Sequence, residues 1–304
     1  MFPFSSSPLL LQESILKKLS PFDMFCFSLI SRKSHHLAKR SKLIVKQFQW
    51  KVKEDSKHIS ITGTDGEDYD VVISSKEESS ELPTFDAQID DINFSVYASH
   101  TFYWPRERRI VSENVEVFAK VISGRLMEVL RPQKFSLGIE DCSIPPYIFR
   151  FTRTFKNVLA YFSPRSLHND AALALFNEIT ADYLYLNYSS FEVSEHLSLN
   201  HRKIELNKAH WFTKELLMKT DCQELILEAP NLTSEDLQEF FERWKNGKFP
   251  KLKEFCIRMV GRQWNLILEY ADGKGFRVIT DVEGNVGKIK HIGYILTFRV
   301  NDHR

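Results

Sequence analysis

Several short clusters in the sequence contain the residue types that catalytic and metal sites use. Glycine and lysine adjoin in Asp272-Gly273-Lys274-Gly275. A phosphate-binding loop needs G-x-x-x-x-G-K-[ST] between a strand and a helix, whereas strand-like segments flank this cluster, so we expect a hairpin turn. His35 and His36 are adjacent, and on a helix they point about 100° apart, which prevents them from sharing a metal ion.

Two further clusters contain acidic residues. His168-Asn169-Asp170 could pair a base with the group that orients it, but no nucleophile has a recognisable elbow nearby, so a loop and helix cap is the expected structure. Glu235-Asp236 falls on the first turn of a helix, where the helix dipole favours carboxylates. The sequence therefore predicts neither an active site nor a cofactor. A hydrolase or transferase with an unrecognised site is an alternative.

Cysteine usage and hydropathy set the expected compartment. Cys26, Cys142, Cys222 and Cys256 are scattered without a C-x-x-C pair, so we expect buried thiols in a reducing compartment and no metal site. Neither a signal pattern nor an apolar stretch of membrane-spanning length is found. We therefore expect a soluble protein of the cytoplasm or nucleus, or both, with no membrane partner.

Charge argues against a general attraction to nucleic acid. The formal net charge is +1, which creates no overall field for a polyanion. The segment Arg32–Lys53 is basic and contains no acidic residue. Phe48 and Trp50 alternate with polar residues there as in a strand, so a solvated helix face and strand edge are expected. A basic nucleic-acid-binding protein that uses this segment is the second alternative.

The start of the chain predicts three short helices. Ser7 and Pro8 can begin the first, Ser20-Pro21-Phe22-Asp23 combines a cap, a proline and a carboxylate for the second, and a third is expected over Ser31–Ser41. Apolar residues follow at helical spacing. So small a unit lacks the volume to bury them all, so some apolar surface must meet a partner or the next domain.

This segment resembles an F-box, the helical module that docks a Skp-type adaptor. The resemblance is carried by Pro8-Leu9, Ile15, Leu19, the break at Ser20, Asp23, Ser28-Leu29 and Ser31-Arg32-Lys33. It implies a module over residues 4–44 that binds the adaptor and, through it, a cullin. The adaptor-binding residues expected are Pro8, Leu9, Leu11, Ile15, Leu16, Leu19, Phe22, Phe25 and Leu29.

Strands follow the helices. Alternating apolar residues predict an antiparallel meander over 48–73, and Asn114 can cap a helix that ends at Pro132. Short strands then recur near Leu184, Ile204, Leu225 and Phe255, the first three about twenty residues apart, as in leucine-rich repeats.

The last of these units has a second family resemblance. Thr233-Ser234-Glu235-Asp236 predicts a helix start, and Leu237, Phe240, Phe241 and Trp244 form its apolar stripe. The pattern from Asn231 to Leu252 resembles the type 2 F-box-associated domain, which in its family follows an F-box. The F-box-like segment and this second pattern thus follow each other along the chain in the order that the family has.

We therefore expect an α+β protein with a three-helix F-box, a β-rich middle and leucine-rich-repeat-like strand/helix units. The expected domains are 4–44 and 45–304, the latter strand-rich over 45–110, repeat-like over about 180–260 and ending in strands over 264–300. The resemblance implies a non-enzymatic substrate-recognition subunit of a Skp–cullin–F-box ubiquitin ligase.

Strand ends and loops vary without disturbing a core, so the expected target-binding residues are Asn187, Asn207, His210, Trp211 and Glu228.

Overall fold

The computed structural model describes residues 8–75, 85–89, 92–98, 107–112, 114–165, 168–193, 197–258, 276–292 and 294–301. The chain forms two compact units, Met1–Thr152 and Arg153–Arg304. We call them the N-terminal unit and the C-terminal unit.

The N-terminal unit begins with three helices: α1 (Leu9–Leu16), α2 (Pro21–Ile30) and α3 (Arg32–Ser41). Two of the expected starts are confirmed, because Ser20 Oγ accepts a hydrogen bond from Asp23 N–H at 3.0 Å and Ser31 Oγ accepts one from Ser34 N–H at 3.0 Å. Ser7 lies outside the described residues. Pro8 occupies the N-cap of α1, where its side chain cannot accept a hydrogen bond.

The remainder of this unit is built mainly from strands. They are β1 (Leu43–Val45), β2 (Gln47–Lys53), β3 (Ser56–Thr62), β4 (Asp68–Ser74), β5 (Phe85–Ile89), β6 (Ile92–Ala98), β7 (Glu107–Val111), β8 (Leu130–Pro132) and β9 (Phe135–Glu140), with α4 (Val115–Val129) before β8. The expected meander β2-β3-β4 is confirmed. It lies inside the sheet order β9-β2-β3-β4-β7-β6-β5, in which β9 and β7 join it in parallel. β1 pairs separately with β8.

Helix α4 contributes to the core of this unit. Asn114 caps it, as expected, by accepting a hydrogen bond from Val117 N–H at 3.1 Å. Ser123 on α4 accepts a hydrogen bond from the buried Trp50 indole N–H at 3.0 Å. The Trp50 ring stacks on Phe135 with centroids 5.8 Å apart. Because the indole N–H has a partner, this large side chain can be buried without the cost of an unsatisfied donor.

The C-terminal unit alternates strands and helices before it ends in strands. Its elements are β10 (Thr154–Tyr161), α5 (Asn169–Asn177), β11 (Thr180–Asn187), β12 (Lys203–Asn207), α6 (Lys214–Met218), β13 (Glu224–Glu228), α7 (Ser234–Lys245), β14 (Glu254–Arg258), β15 (Phe276–Thr280), β16 (Val286–Ile292) and β17 (Ile295–Asn301). The strands from β10 to β14 are parallel neighbours. β17, β16 and β15 then continue the sheet in antiparallel fashion.

Helix α7 is the expected crossover between two parallel strands. Thr233 and Asp236 form a capping box, with Asp236 Oδ2 accepting a hydrogen bond from Thr233 N–H at 2.8 Å. The apolar stripe is buried, and the rings of Phe240 and Phe255 lie 4.8 Å apart while those of Trp244 and Phe298 lie 4.9 Å apart. The local capping residues and the buried apolar face therefore both favour the same helix.

The chain is therefore an α+β protein with an N-terminal helical region and a sheet-rich remainder. The hairpin turn expected at Asp272-Gly273-Lys274-Gly275 and part of the strands expected over 264–300 lie outside the described residues. Within the described ranges, no helix combines the length and apolar character needed to cross a membrane. No group of three or more His, Cys, Asp or Glu side chains in the same ranges is placed to hold a metal ion.

Candidate functional site

The first candidate surface is the outward side of α1. Leu10 is 80% exposed, and Leu9, Leu11 and Ile15 are 38–42% exposed. Four large apolar side chains on one short helix form an apolar patch, a type of surface that in water-soluble proteins marks sites of interaction. The patch is defined here as the α1 patch, residues Leu9, Leu10, Leu11 and Ile15.

The nine residues expected to bind an adaptor divide between this surface and the core. Leu16, Phe22 and Phe25 are buried. Leu19 and Leu29 are half-buried, and Pro8, Leu9, Leu11 and Ile15 are exposed. Helical spacing placed all of them on apolar faces but could not say which residues pack inside the helical module. Sequence reasoning missed Leu10 and Ile30, both strongly exposed, because they stand off the apolar stripes.

Polar contacts connect α3 to α1 and to α4. Arg40 Nη2 on α3 lies 3.3 Å from Glu13 Oε1 on α1. Glu128 on α4 lies 3.2 Å from His35 Nε2 and 3.6 Å from Lys39 Nζ on α3. Burial, followed by the charge of Arg125, lowers the pKa of His35, which favours a neutral ring.

The same contacts bear on the basic segment Arg32–Lys53. Lys39 and Arg40 each lie beside a carboxylate, and Lys53 Nζ lies 2.7 Å from Glu140 Oε2. Neutralised lysines and arginines attract a polyanion less than free ones. Because carboxylates lie beside several of its basic residues, this segment is a weaker candidate for a nucleic-acid surface than its sequence alone indicated.

The second candidate surface lies at the carboxyl ends of the parallel strands in the C-terminal unit. Asn187 is opposite Asn207 in the β11–β12 register, and Tyr161 of β10 is opposite Asn187. Glu228 ends β13 and is opposite Arg258. Parallel strands place successive end residues along one edge of a sheet. Three of the five residues expected to bind a target, Asn187, Asn207 and Glu228, thus share this row, which we call the strand-end row.

Tyrosines and carboxylates surround the strand-end row. Asn207 Nδ2 donates a hydrogen bond to Tyr185 Oη at 2.8 Å, and the Tyr185 and Tyr161 ring centroids are 5.1 Å apart. Tyr183 Oη donates to Glu205 Oε2 at 2.9 Å. Burial, then the neighbouring Tyr161, then Glu205 raise the pKa of Tyr185. The row is therefore rich in rings and acceptor oxygens.

The other two expected target-binding residues follow β12. His210 is exposed. Trp211 is half-buried, its indole N–H donates to the Tyr188 carbonyl at 2.7 Å, and its ring is 4.6 Å from that of Phe191. These contacts hold Trp211 within the packed residues after β11 and give it a structural function of its own.

Comparison with protein-family models matches residues 8–46 to the F-box domain and residues 192–257 to the family described as F-box associated. The chain carries an F-box domain and an F-box-associated domain. The comparisons with curated proteins and with solved structures gave no significant match.

The two matches cover the two candidate surfaces unequally. The F-box match includes α1, α2, α3 and β1, and therefore the whole α1 patch. The F-box-associated match runs from before β12 through β14, so it includes Asn207 and Glu228 but not Asn187 or Tyr161. This pair of domains points to an adaptor-type F-box protein.

Proposed function

We propose that the chain is the substrate-recognition subunit of a Skp–cullin–F-box E3 ubiquitin ligase. The observation that carries the proposal is the α1 patch, which leaves apolar side chains in water within the segment that matches the F-box domain. Burying apolar surface contributes about 25 cal/mol per Å². A Skp-type adaptor that covers the patch would therefore gain affinity from side chains that the fold itself does not use.

In this proposal the protein tethers and does not catalyse. Residues 4–44 hold the adaptor, and the adaptor connects the chain to a cullin inside the cell. Residues 45–304 hold a target protein. Tethering converts an encounter between the target and a charged conjugating enzyme into a local event, which raises the effective concentration of the target lysine.

We also propose that the leucine-rich-repeat-like stack over about 180–260 presents the target site. Asn187, Asn207 and Glu228 stand along the strand-end row, with His210 exposed in the loop that follows β12. A stack of short parallel strands supports such a row because its core residues lie on the other face. Trp211 would contribute mainly by holding this loop in place.

The adaptor interface is tested by Leu9→Asp in the full-length chain. A carboxylate in the α1 patch would be desolvated on docking, so adaptor binding should be lost in co-purification. The thermal unfolding of the variant should match that of the unchanged chain, because Leu9 is exposed. Val282→Asp, at an exposed apolar residue of the C-terminal unit, is the matched control and should keep the adaptor.

Two outcomes would count against this interface. Retained adaptor binding by Leu9→Asp would show that the α1 patch is not the contact. Loss of binding together with a lowered unfolding temperature would show that the N-terminal helices act as a packed cap on the sheet.

A further inference from the structure

At the opposite, amino-terminal ends of the same strands, one lysine already lies between a ring and a carboxylate. Lys203 Nζ lies 5.5 Å from the centroid of the Tyr183 ring and 3.1 Å from Glu224 Oε2. A cation over an aromatic face is attracted by the ring quadrupole, and a nearby carboxylate adds Coulomb attraction. This arrangement shows which ligand chemistry the sheet face suits.

Tyrosine rings and a carboxylate also occur along the strand-end row. Tyr161 is 46% exposed and its ring lies against that of Tyr185. Glu228 has no ion-pair partner among the residues that the structure describes, and its charge contributes to raising the pKa of Tyr185. The row therefore has a ring pair at β10 and β11 and a carboxylate at β13, two to three strands along the sheet.

Around the strand-end row, carboxylate and amide oxygens outnumber the cationic groups that face them. Arg258 is opposite Glu228 in the register, but its Nη1 lies 3.7 Å from Glu205 Oε1. The guanidinium thus pairs with Glu205 and not with Glu228. The side-chain oxygens Oδ1 of Asn187 and Asn207 accept no hydrogen bond within the described part of the chain. Unpaired carbonyl oxygens add negative potential, which repels an acidic ligand and attracts a donor-rich cation.

We propose that the strand-end row binds a basic segment of the target protein, with one lysine or arginine side chain of that segment contacting Tyr161 and Tyr185 and another pairing with Glu228. The proposal rests on the proposed function, since it names the chemistry that the target site recognises. An apolar segment would leave the Glu228 carboxylate without compensation when it covers it, and an acidic segment would meet like charge.

The test measures binding of a fluorescent hexalysine peptide to the full-length chain in complex with its adaptor, by anisotropy at low salt. Tyr161→Ala and Glu228→Gln should each weaken binding about two- to fivefold, which is the range for exposed cation–π and ion-pair contacts. The two changes together should weaken it about tenfold. Tyr161→Phe should bind as the unchanged chain does, because the ring supplies the attraction and not the hydroxyl.

Matched controls separate a local site from a general charge effect. Tyr69→Ala, in β4 of the N-terminal unit, and Glu283→Gln, in the turn between β15 and β16, remove the same groups outside the row, and they should leave hexalysine binding unchanged. Absence of hexalysine binding by the unchanged chain would overturn the proposal. An equal loss in the controls and in the row variants would overturn it as well.

Adaptor binding by the same variants distinguishes this proposal from the proposed function. Every row variant should still co-purify with the adaptor, since the row lies in the C-terminal unit and the α1 patch lies in the N-terminal unit. If the adaptor is retained and hexalysine fails to bind, the basic-segment proposal alone is wrong. If the unchanged chain never binds the adaptor, the proposed function itself is wrong.

Discussion

Helix α1 carries five large apolar side chains and helix α7 carries four, but the two helices use them in opposite ways. In α7 the side chains of Leu237, Phe240, Phe241 and Trp244 are all buried. In α1 the four apolar residues of the patch are exposed and Leu16 is buried. A capping box fixes the start of α7, whereas α1 starts after Pro8. Apolar residues thus hold the fold in one helix and remain available for a partner in the other.

The strongest test of this contrast exchanges one apolar side chain in each helix for alanine. Phe241→Ala should lower the free energy of unfolding by about 3–5 kcal/mol, because it opens a cavity among Phe240, Phe255 and Phe298. Leu10→Ala should change it by less than about 0.5 kcal/mol, because the side chain is exposed. Urea denaturation monitored by circular dichroism measures both. Similar losses of stability for the two variants would show that the α1 side chains are packed as tightly as those of α7.

A second test measures how the stability of the C-terminal unit, which contains α7, depends on pH. His201 is buried, its Nδ1 accepts a hydrogen bond from Ala181 N–H at 3.0 Å, and burial lowers its pKa to about 4 from an ordinary value of 6.5. The folded state keeps the ring neutral while the unfolded state gains a proton below pH 6.5. Stability from this group is therefore complete above pH 6.5 and falls as the pH declines towards 4.

The expected loss across that window is about 3 kcal/mol, since each pKa unit is worth about 1.4 kcal/mol. Denaturation of the C-terminal unit at a series of pH values measures it. His201→Gln removes the titrating group and should flatten this part of the pH profile, although it lowers stability at every pH. A profile of the same slope in the variant would assign the pH dependence to other groups.

Some elements of the fold could be predicted from the sequence, and others could not. The starts of α2, α4 and α7 were predicted because caps and apolar stripes are encoded within a few residues. The meander β2-β3-β4 was predicted because its strands follow each other closely. The parallel placement of β9 beside β2 and of β7 beside β4 was not, since those partners are distant in sequence and local alternation carries no information about them.

The candidate sites were predicted only in part for a related reason. Repetition of short strands identified Asn187, Asn207 and Glu228 as strand ends, and the register places them in a row. Tyr161 was missed because no strand was expected at β10. On α1, spacing grouped Leu11, Ile15 and Leu16 together, although only Leu16 is buried. Which side of a small helix faces the core depends on neighbouring helices that local spacing does not describe.

The smallest expected effect concerns the loops that support the strand-end row. Ala229 follows β13 with φ of +53°, a region that costs a residue with a Cβ atom about 1–2 kcal/mol. Ala229→Gly should therefore stabilise the chain by about 0.5–1 kcal/mol. The same exchange within α5, Ala174→Gly, should destabilise it by about 1 kcal/mol. Thermal unfolding of the two variants should shift in opposite directions, and shifts of the same sign would show that the loop is not strained.

We propose that the exposed apolar residues of the F-box bind an adaptor. Purification of the tagged full-length chain from cells that contain Skp-type adaptors and cullins, followed by quantitative identification of the bound proteins, tests this directly. We expect an adaptor and a cullin to co-purify with the unchanged chain and both to be missing from Leu9→Asp. Absence of both proteins from the unchanged chain would contradict it.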